Sequence, residues 1–242
     1  MLKMKKMTAV ALAVGAFFSV SALQAAQSEN TLAKDPSYAL GVLVGMDLKG
    51  MTEAQQEVIK YDQEKLLAGV ADGLKGKADL SKDKQLVETL QGVDEKLKAA
   101  SLAKAAEQAK QAQEDGAKLT AEFNKKSGVK KTDSGLLYRI DKAGEGENIK
   151  ATDKVKVHYT GKLPNGKVFD SSRQRNLPAE FRLDQVIPGW SEGLQLVKKG
   201  GKIELVIPPK LAYGEQEMGE IPANSTLYFE VEVLDVMPQA KK

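Results

Sequence analysis

The 242-residue chain has no cysteine and a single histidine, His158. Without cysteine there can be no disulfide, thiolate nucleophile, thiolate-bound zinc or lipidated cysteine anchor. One histidine excludes multi-histidine metal sites and leaves His158 as the only possible base of a Ser–His–Asp triad. Charge of one sign is also lacking, since 36 Lys and Arg stand against 33 Asp and Glu. Aromatic residues make up only 5% of the chain, so the places where they gather carry information. With 42% hydrophobic and 29% charged residues, the composition is neither that of a disordered chain nor that of a membrane bundle.

What is present begins with a leader. Lys3, Lys5 and Lys6 precede an apolar run over residues 7–20, and small residues then lead to Ala25 and Ala26. The run is shorter than the ~20 residues of a membrane-spanning helix. Residues 1–26 therefore read as an export signal cleaved after Ala25 or Ala26, which sends the mature protein across an inner membrane without a membrane anchor; an uncleaved anchor is the alternative. Cleavage removes three lysines and leaves 33 basic against 33 acidic residues, a balance that favours neither nucleic acid nor an anionic membrane.

Residues 31–128 read as successive helices. Asp35 and Pro36 form an N-cap with proline at the first helical position, and the stretch 38–46 that follows is apolar on nearly every face. Thr52 with Gln55 predicts a capping box for a second short helix. Asp62 caps a third, carrying Leu66, Leu67, Val70 and Leu74 and ending near Gly76. A longer helix is expected to open at Ser81, with a heptad-like seam at Leu86, Leu90, Val93, Leu97 and Ala100. Its middle is mostly Ala, Lys, Gln and Glu, and Leu119 and Phe123 continue it until Gly128. A helix over 81–126 would be roughly 70 Å long and would cross solvent as a strut. Gly116 is its weak point, and an alanine-rich linker is the alternative.

From Lys130 the hydrophobic period falls to two. Val155, Val157 and Tyr159 alternate with Lys156, His158 and Thr160, and Leu227, Phe229, Val231 and Val233 alternate with polar partners. Ile203, Leu205 and Ile207 mark another strand, and Asn165-Gly166 a hairpin turn. Residues 190–197 form one short helix stopped by Gly200 and Gly201. The fold class is α+β: a helical domain at 27–80, a connecting helix at 81–128, and an antiparallel sheet on one short helix at 129–242.

The only tryptophan, four of six phenylalanines and four of six tyrosines lie after residue 120. Each alone could simply fill a core. Together with Val186-Ile187-Pro188-Gly189-Trp190 they suggest an aromatic cup with a tryptophan floor, fit for a small apolar ring such as proline. His158 alternates with Tyr159 on its strand, so it points away from that cup and reads as structural.

Five motifs occur in order: His158-Tyr159-Thr160-Gly161, Val168-Phe169-Asp170-Ser171-Ser172, Val186-Ile187-Pro188-Gly189-Trp190, Ala212-Tyr213-Gly214, and Ile221-Pro222-Ala223-Asn224-Ser225-Thr226-Leu227. Over residues 130–237 the chain thereby resembles the FKBP-type peptidyl-prolyl cis-trans isomerases. Its amino-terminal half is similar to that of the periplasmic FkpA and macrophage-infectivity-potentiator branch, in which this half dimerises and some members act as chaperones.

The resemblance implies walls from Tyr159, Phe169 and Phe229, a floor from Trp190, and a rim from Val186 and Ile187, whose N–H would donate to a substrate carbonyl. It implies a peptide-facing hydroxyl on Tyr213, Asp170 at the pocket edge, and one side closed by Ile221. Phe181 stands two residues beyond Ala179, where many members have an aromatic residue. The acidic stretch at Glu215, Glu217 and Glu220 replaces a histidine and a proline of better-known members. Both departures bear on substrate preference and on affinity for the family's macrolide inhibitors. Asp170 could equally hold a loop or pair with Arg173 or Arg182.

The implied activity is rotation of X–Pro bonds in exported polypeptides, with no metal or cofactor. Two other readings compete: a chaperone whose module only binds peptides, and a coiled-coil adaptor. Assembly is expected to be homodimeric, because the 38–46 helix and the Leu86–Leu97 seam lack partners within one chain. The connecting helices would then carry two isomerase modules around a cleft for an unfolded client.

Overall fold

In the computed structural model, which describes residues 32–238, helix α1 (Pro36–Gln55) starts where its cap predicts. The expected leader lies outside the described residues. Asp35 Oδ1 accepts the Ser37 N–H at 2.7 Å and the Tyr38 N–H at 3.2 Å, and Pro36 supplies a preset φ. The helix does not break at Thr52. Thr52 Oγ1 donates back to Leu48 O and Lys49 O, both at 3.0 Å, so the residues that mimic a capping box are the last turn of one continuous helix.

Helix α2 (Gln63–Leu74) opens on Asp62, which accepts the Lys65 N–H at 3.1 Å, and ends before Gly76 at a φ of 66°. Helix α3 (Lys84–Asn124) is one helix of 41 residues. It starts three residues later than expected, because Asp83 accepts the Leu86 N–H at 3.0 Å while Ser81 is spent in a turn on Asp79. It also runs through Gly116 without interruption.

The described residues fall into two compact units that divide between Leu97 and Lys98. In the first, no residue of α1 or α2 is buried, and Leu40, Leu43 and Met46 are 61%, 57% and 66% exposed.

In the second, seven strands form one antiparallel sheet: β1 (Val129–Lys131), β2 (Leu137–Lys142), β3 (Lys154–Lys162), β4 (Val168–Ser171), β5 (Ala179–Arg182), β6 (Lys202–Ile207) and β7 (Leu227–Met237). The order is β1-β2-β6-β7-β3-β4, and β5 pairs with the other half of the outer edge of β3. Helix α4 (Pro188–Leu194) packs one face, burying Trp190 and Leu194 against Leu205, Ile207 and Phe229 in the main core.

The opposite face of the sheet is covered too, which the sequence does not predict. Phe123 near the end of α3 is buried with Leu137 and Val206, and its ring meets Tyr228 edge-on at 6.1 Å. That second cover explains why Ile203–Ile207 is buried at every position, the pattern of a strand sandwiched on both sides. Glu204 lies on this side, where Arg139 donates to its two oxygens at 2.9 and 3.2 Å and Lys126 lies at 3.6 Å. Burial alone would raise the Glu204 pKa, but the Arg139 hydrogen bonds and the two positive charges hold it below the ordinary value.

Candidate active site

Alternation along β3 turns Tyr159 into the core and His158 to the other face, where its Nδ1 lies 3.1 Å from Ser172 Oγ. Strand β4 brings Phe169 and Asp170, and β5 brings Phe181. A single 3-10 turn, Leu183–Gln185, then delivers Val186 and Ile187 to the start of α4. Pro188 at the first position of α4 sets Trp190 in the opening turn. Strand β7 adds Phe229.

Trp190 is the hub of these rings. Its centroid lies 5.2 Å from Tyr159, 5.4 Å from Phe181 and 5.2 Å from Phe229, each at 81° to 87°. Phe169 meets Phe229 edge-on at 5.5 Å. Edge-to-face packing of this kind sets positive ring edges on negative faces and holds the walls rigid. Gly161 permits it, since a Cβ there would stand 2.7 Å from atoms of both Phe169 and Phe229.

These residues enclose a cavity of about 310 Å³, lined by Tyr159, Phe169, Asp170, Phe181, Gln185, Val186, Ile187, Trp190, Tyr213 and Phe229. All but one of the candidate residues line it. Ile221 is buried in the main core, outside the cavity wall. Gln185 lines it and was not foreseen. The volume is near the lower limit for small-ligand sites, suited to one side-chain ring and its flanking bonds.

Polar groups are few and mostly committed. The Tyr159 hydroxyl donates to Asp170 Oδ2, Arg175 donates to Asp170 Oδ1 at 2.6 Å, and a second Arg175 nitrogen donates to the Tyr159 oxygen at 3.2 Å. Burial would raise the Asp170 pKa, but the bonds from Tyr159 and Arg175 outweigh it and keep the carboxyl below its ordinary value. Burial, with help from Asp170, pushes the Tyr159 hydroxyl up to about 12. Neither group suits proton transfer near neutral pH.

Arg175 is the partner of Asp170. Arg173 instead donates to Glu232 at 2.7 Å and Arg182 to Asp184 at 2.6 Å. Some donors remain uncommitted. Trp190 Nε1 is buried without a protein partner, and the Ile187 N–H donates to no group among the described residues. No cluster of three or more His, Asp or Glu that could hold a metal occurs among the described residues.

A family model for FKBP-type peptidyl-prolyl cis-trans isomerases matches residues 145–234, and one for the domain amino-terminal to such isomerases matches residues 33–140. A probable FKBP-type peptidyl-prolyl cis-trans isomerase of Haemophilus influenzae is 56% identical over the full length of both chains. FkpA of Escherichia coli K12, an FKBP-type peptidyl-prolyl cis-trans isomerase, is 45% identical over 85% of this chain and 76% of its own. The crystal structure of FkpA from Escherichia coli superposes with a TM-score of 0.68, covering 84% of this chain and 95% of that one.

Proposed function

This chain belongs to the FKBP-type peptidyl-prolyl cis-trans isomerases, and from that premise we propose that it turns X–Pro bonds by enclosing the proline ring in the cavity over Trp190. The observation that supports this site is the set of three rings standing edge-on around one buried indole.

The barrier to be lowered is about 18–20 kcal/mol and arises from amide resonance, so neither a proton nor a covalent intermediate is needed. The twisted amide is less polar than the planar one. A dry aromatic site therefore binds it better, and each ~1.4 kcal/mol of preference gives about a tenfold rate gain. In this reading Tyr159, Phe169, Phe181 and Phe229 wall the proline and Trp190 floors it. Val186 and Ile187 shape the rim, with the free Ile187 N–H donating to a peptide carbonyl. Tyr213 offers its hydroxyl to the peptide. Asp170 acts at the pocket edge, with Tyr159 and Arg175 fixing its carboxylate beside the rotating amide. Ile221 supports the wall from the core. Macrolide inhibitors would compete for the same cavity.

Clients are unfolded or proline-containing polypeptides exported to the periplasm. The exposed apolar side chains of α1 support a homodimer, with residues 27–80 as the dimerisation part and 129–242 as the isomerase part. A dimer carries two proline sites on one particle, which raises the effective concentration for a client with several prolines and underlies a chaperone activity. The test is isomerisation of a short X–Pro peptide together with suppression of aggregation of an unfolded client. Loss of both on Trp190→Leu, in a chain that still folds, is expected; a fully active Trp190→Leu chain would overturn the site.

A further inference from the structure

Helix α3 keeps a glycine at a position where helix propensity disfavours it by about 1 kcal/mol relative to alanine. The reason lies in the packing of the second unit. A Cβ at Gly116 would stand 2.5 Å from Thr226 Oγ1 and 2.9 Å from Thr226 Cβ. Glycine lets the helix backbone descend onto Thr226, which is buried beside Ser225. Ala112, one turn earlier, is buried as well, and Thr120 Oγ1 donates to Gly116 O at 2.8 Å.

Thr226 closes the loop that begins at Tyr213. The Asn224 N–H donates to Gly214 O at 2.8 Å, with Asn224 held at a φ of 61°, a left-handed conformation that asparagine tolerates. Ser225 Oγ donates to Pro222 O at 2.7 Å, and Met218 and Ile221 exchange two N–H···O bonds at 3.0 Å. The loop is thus clasped at its neck by Asn224 and Gly214. Tyr213, on one side of that neck, lines the cavity, and two residues beyond Asn224 on the other side the helix presses on Thr226.

We infer that Gly116 and Thr226 are positioning residues for the isomerase site: the seat of α3 on Thr226 sets where the Asn224–Gly214 neck holds Tyr213. The inference rests on the reading of Tyr213 as a peptide-binding hydroxyl. The groups that touch substrate are unchanged by a substitution at Gly116. Lifting the seat therefore weakens peptide binding and leaves turnover of the bound peptide alone.

The test uses the full chain carrying Gly116→Ala, Gly116→Val, Gly116→Ala with Thr226→Ala, and Gly92→Ala. The last is a control on the same helix, where a Cβ would meet nothing within 4 Å. Two quantities are read: kcat and KM on an X–Pro peptide, and amide exchange of Asn224 against that of Val233, whose N–H is bonded to Gly201 O. Gly116→Val should raise KM about threefold or more with kcat nearly unchanged, and should speed Asn224 exchange by a similar factor while Val233 stays slow. Gly116→Ala should do the same more weakly, Thr226→Ala should recover part of the loss, and Gly92→Ala should match the parent. If Gly116→Val does not fold, the Gly116→Ala pair decides. Parent-like Asn224 exchange in a folded Gly116 variant would overturn the brace. Faster exchange with an unchanged KM would overturn the peptide-binding role of Tyr213 instead.

Discussion

The Tyr159 hydroxyl donates to the Asp170 carboxylate, joining β3 to β4 in the lining of the aromatic cavity. Arg175 braces both ends of that bond and favours the charged form of the carboxylate. Its pKa lies below the ordinary carboxylate value and that of Tyr159 is pushed up to about 12. A depressed carboxylate contributes stability that is present above its unfolded pKa and is lost as pH falls through its folded one. Isomerase kcat/KM should therefore stay flat from about pH 5.5 to about pH 9, between the ordinary carboxylate and phenol values. A pH–rate profile with a steep inflection in that window, retained in His158→Gln, would assign proton transfer to the site.

Arg175→Ala removes the brace while leaving the cavity rings in place. Arg175 is exposed, so solvent screens its bond to Asp170 and keeps the effect modest. A fall in kcat/KM of about three- to tenfold is expected, with Arg173→Ala near parental because that residue serves Glu232.

Tyr213→Phe deletes one hydroxyl and no ring. The loss should be mild, roughly 0.5–1.5 kcal/mol or about two- to tenfold in kcat/KM, measured on a short X–Pro peptide.

Much of this architecture is legible in the sequence because it follows from periodicity. Alternation at Val155, Val157 and Tyr159 places the tyrosine inward and His158 outward, whereas the short helix expected over 190–197 opens two residues earlier, on Pro188, and ends at Leu194. Arg175 is not legible, because a long side chain projecting from a loop has no period, and nearer-seeming arginines take other acids. The cover that Phe123 gives the back of the sheet is hidden for a related reason. A single large apolar residue near the end of a polar helix does not say which surface it meets. Thr52 misleads because its hydroxyl satisfies a carbonyl one turn back, where the same residue at a helix start would cap an N–H. Gly116 looks like a break only until its neighbour Thr226 is known.

Glu204, a buried residue whose carboxylate is held by Arg139, should matter to stability and not to catalysis. Glu204→Ala should cost roughly 1.5–3 kcal/mol in urea unfolding, the worth of a hydrogen bond to a charged partner. Since its folded pKa is depressed, its contribution is complete above the unfolded value and vanishes as pH drops through the folded one. The difference between parent and Glu204→Ala should accordingly shrink below about pH 4, near the ordinary glutamate value.

The exposed apolar side chains of α1 predict that the chain without residues 1–26 sediments as a homodimer at micromolar concentration, and that Leu43→Glu with Met46→Glu makes it a monomer. A fragment of residues 98–242 keeps both Gly116 and Phe123 and should be a monomer active on short peptides, yet poor at suppressing aggregation. A monomeric parent would refute the dimer whatever its isomerase rate.

The most direct test of the aromatic site is the isomerisation rate of one X–Pro peptide by Phe169→Ala and by Asp170→Ala in chains shown to be folded. Phe169 is only partly buried, so its loss opens the wall without emptying the core. Each variant should lower kcat/KM by about tenfold or more, equivalent to about 1.4 kcal/mol of lost preference for the twisted amide. Full activity in both would contradict the assignment of the reaction to the cavity over Trp190.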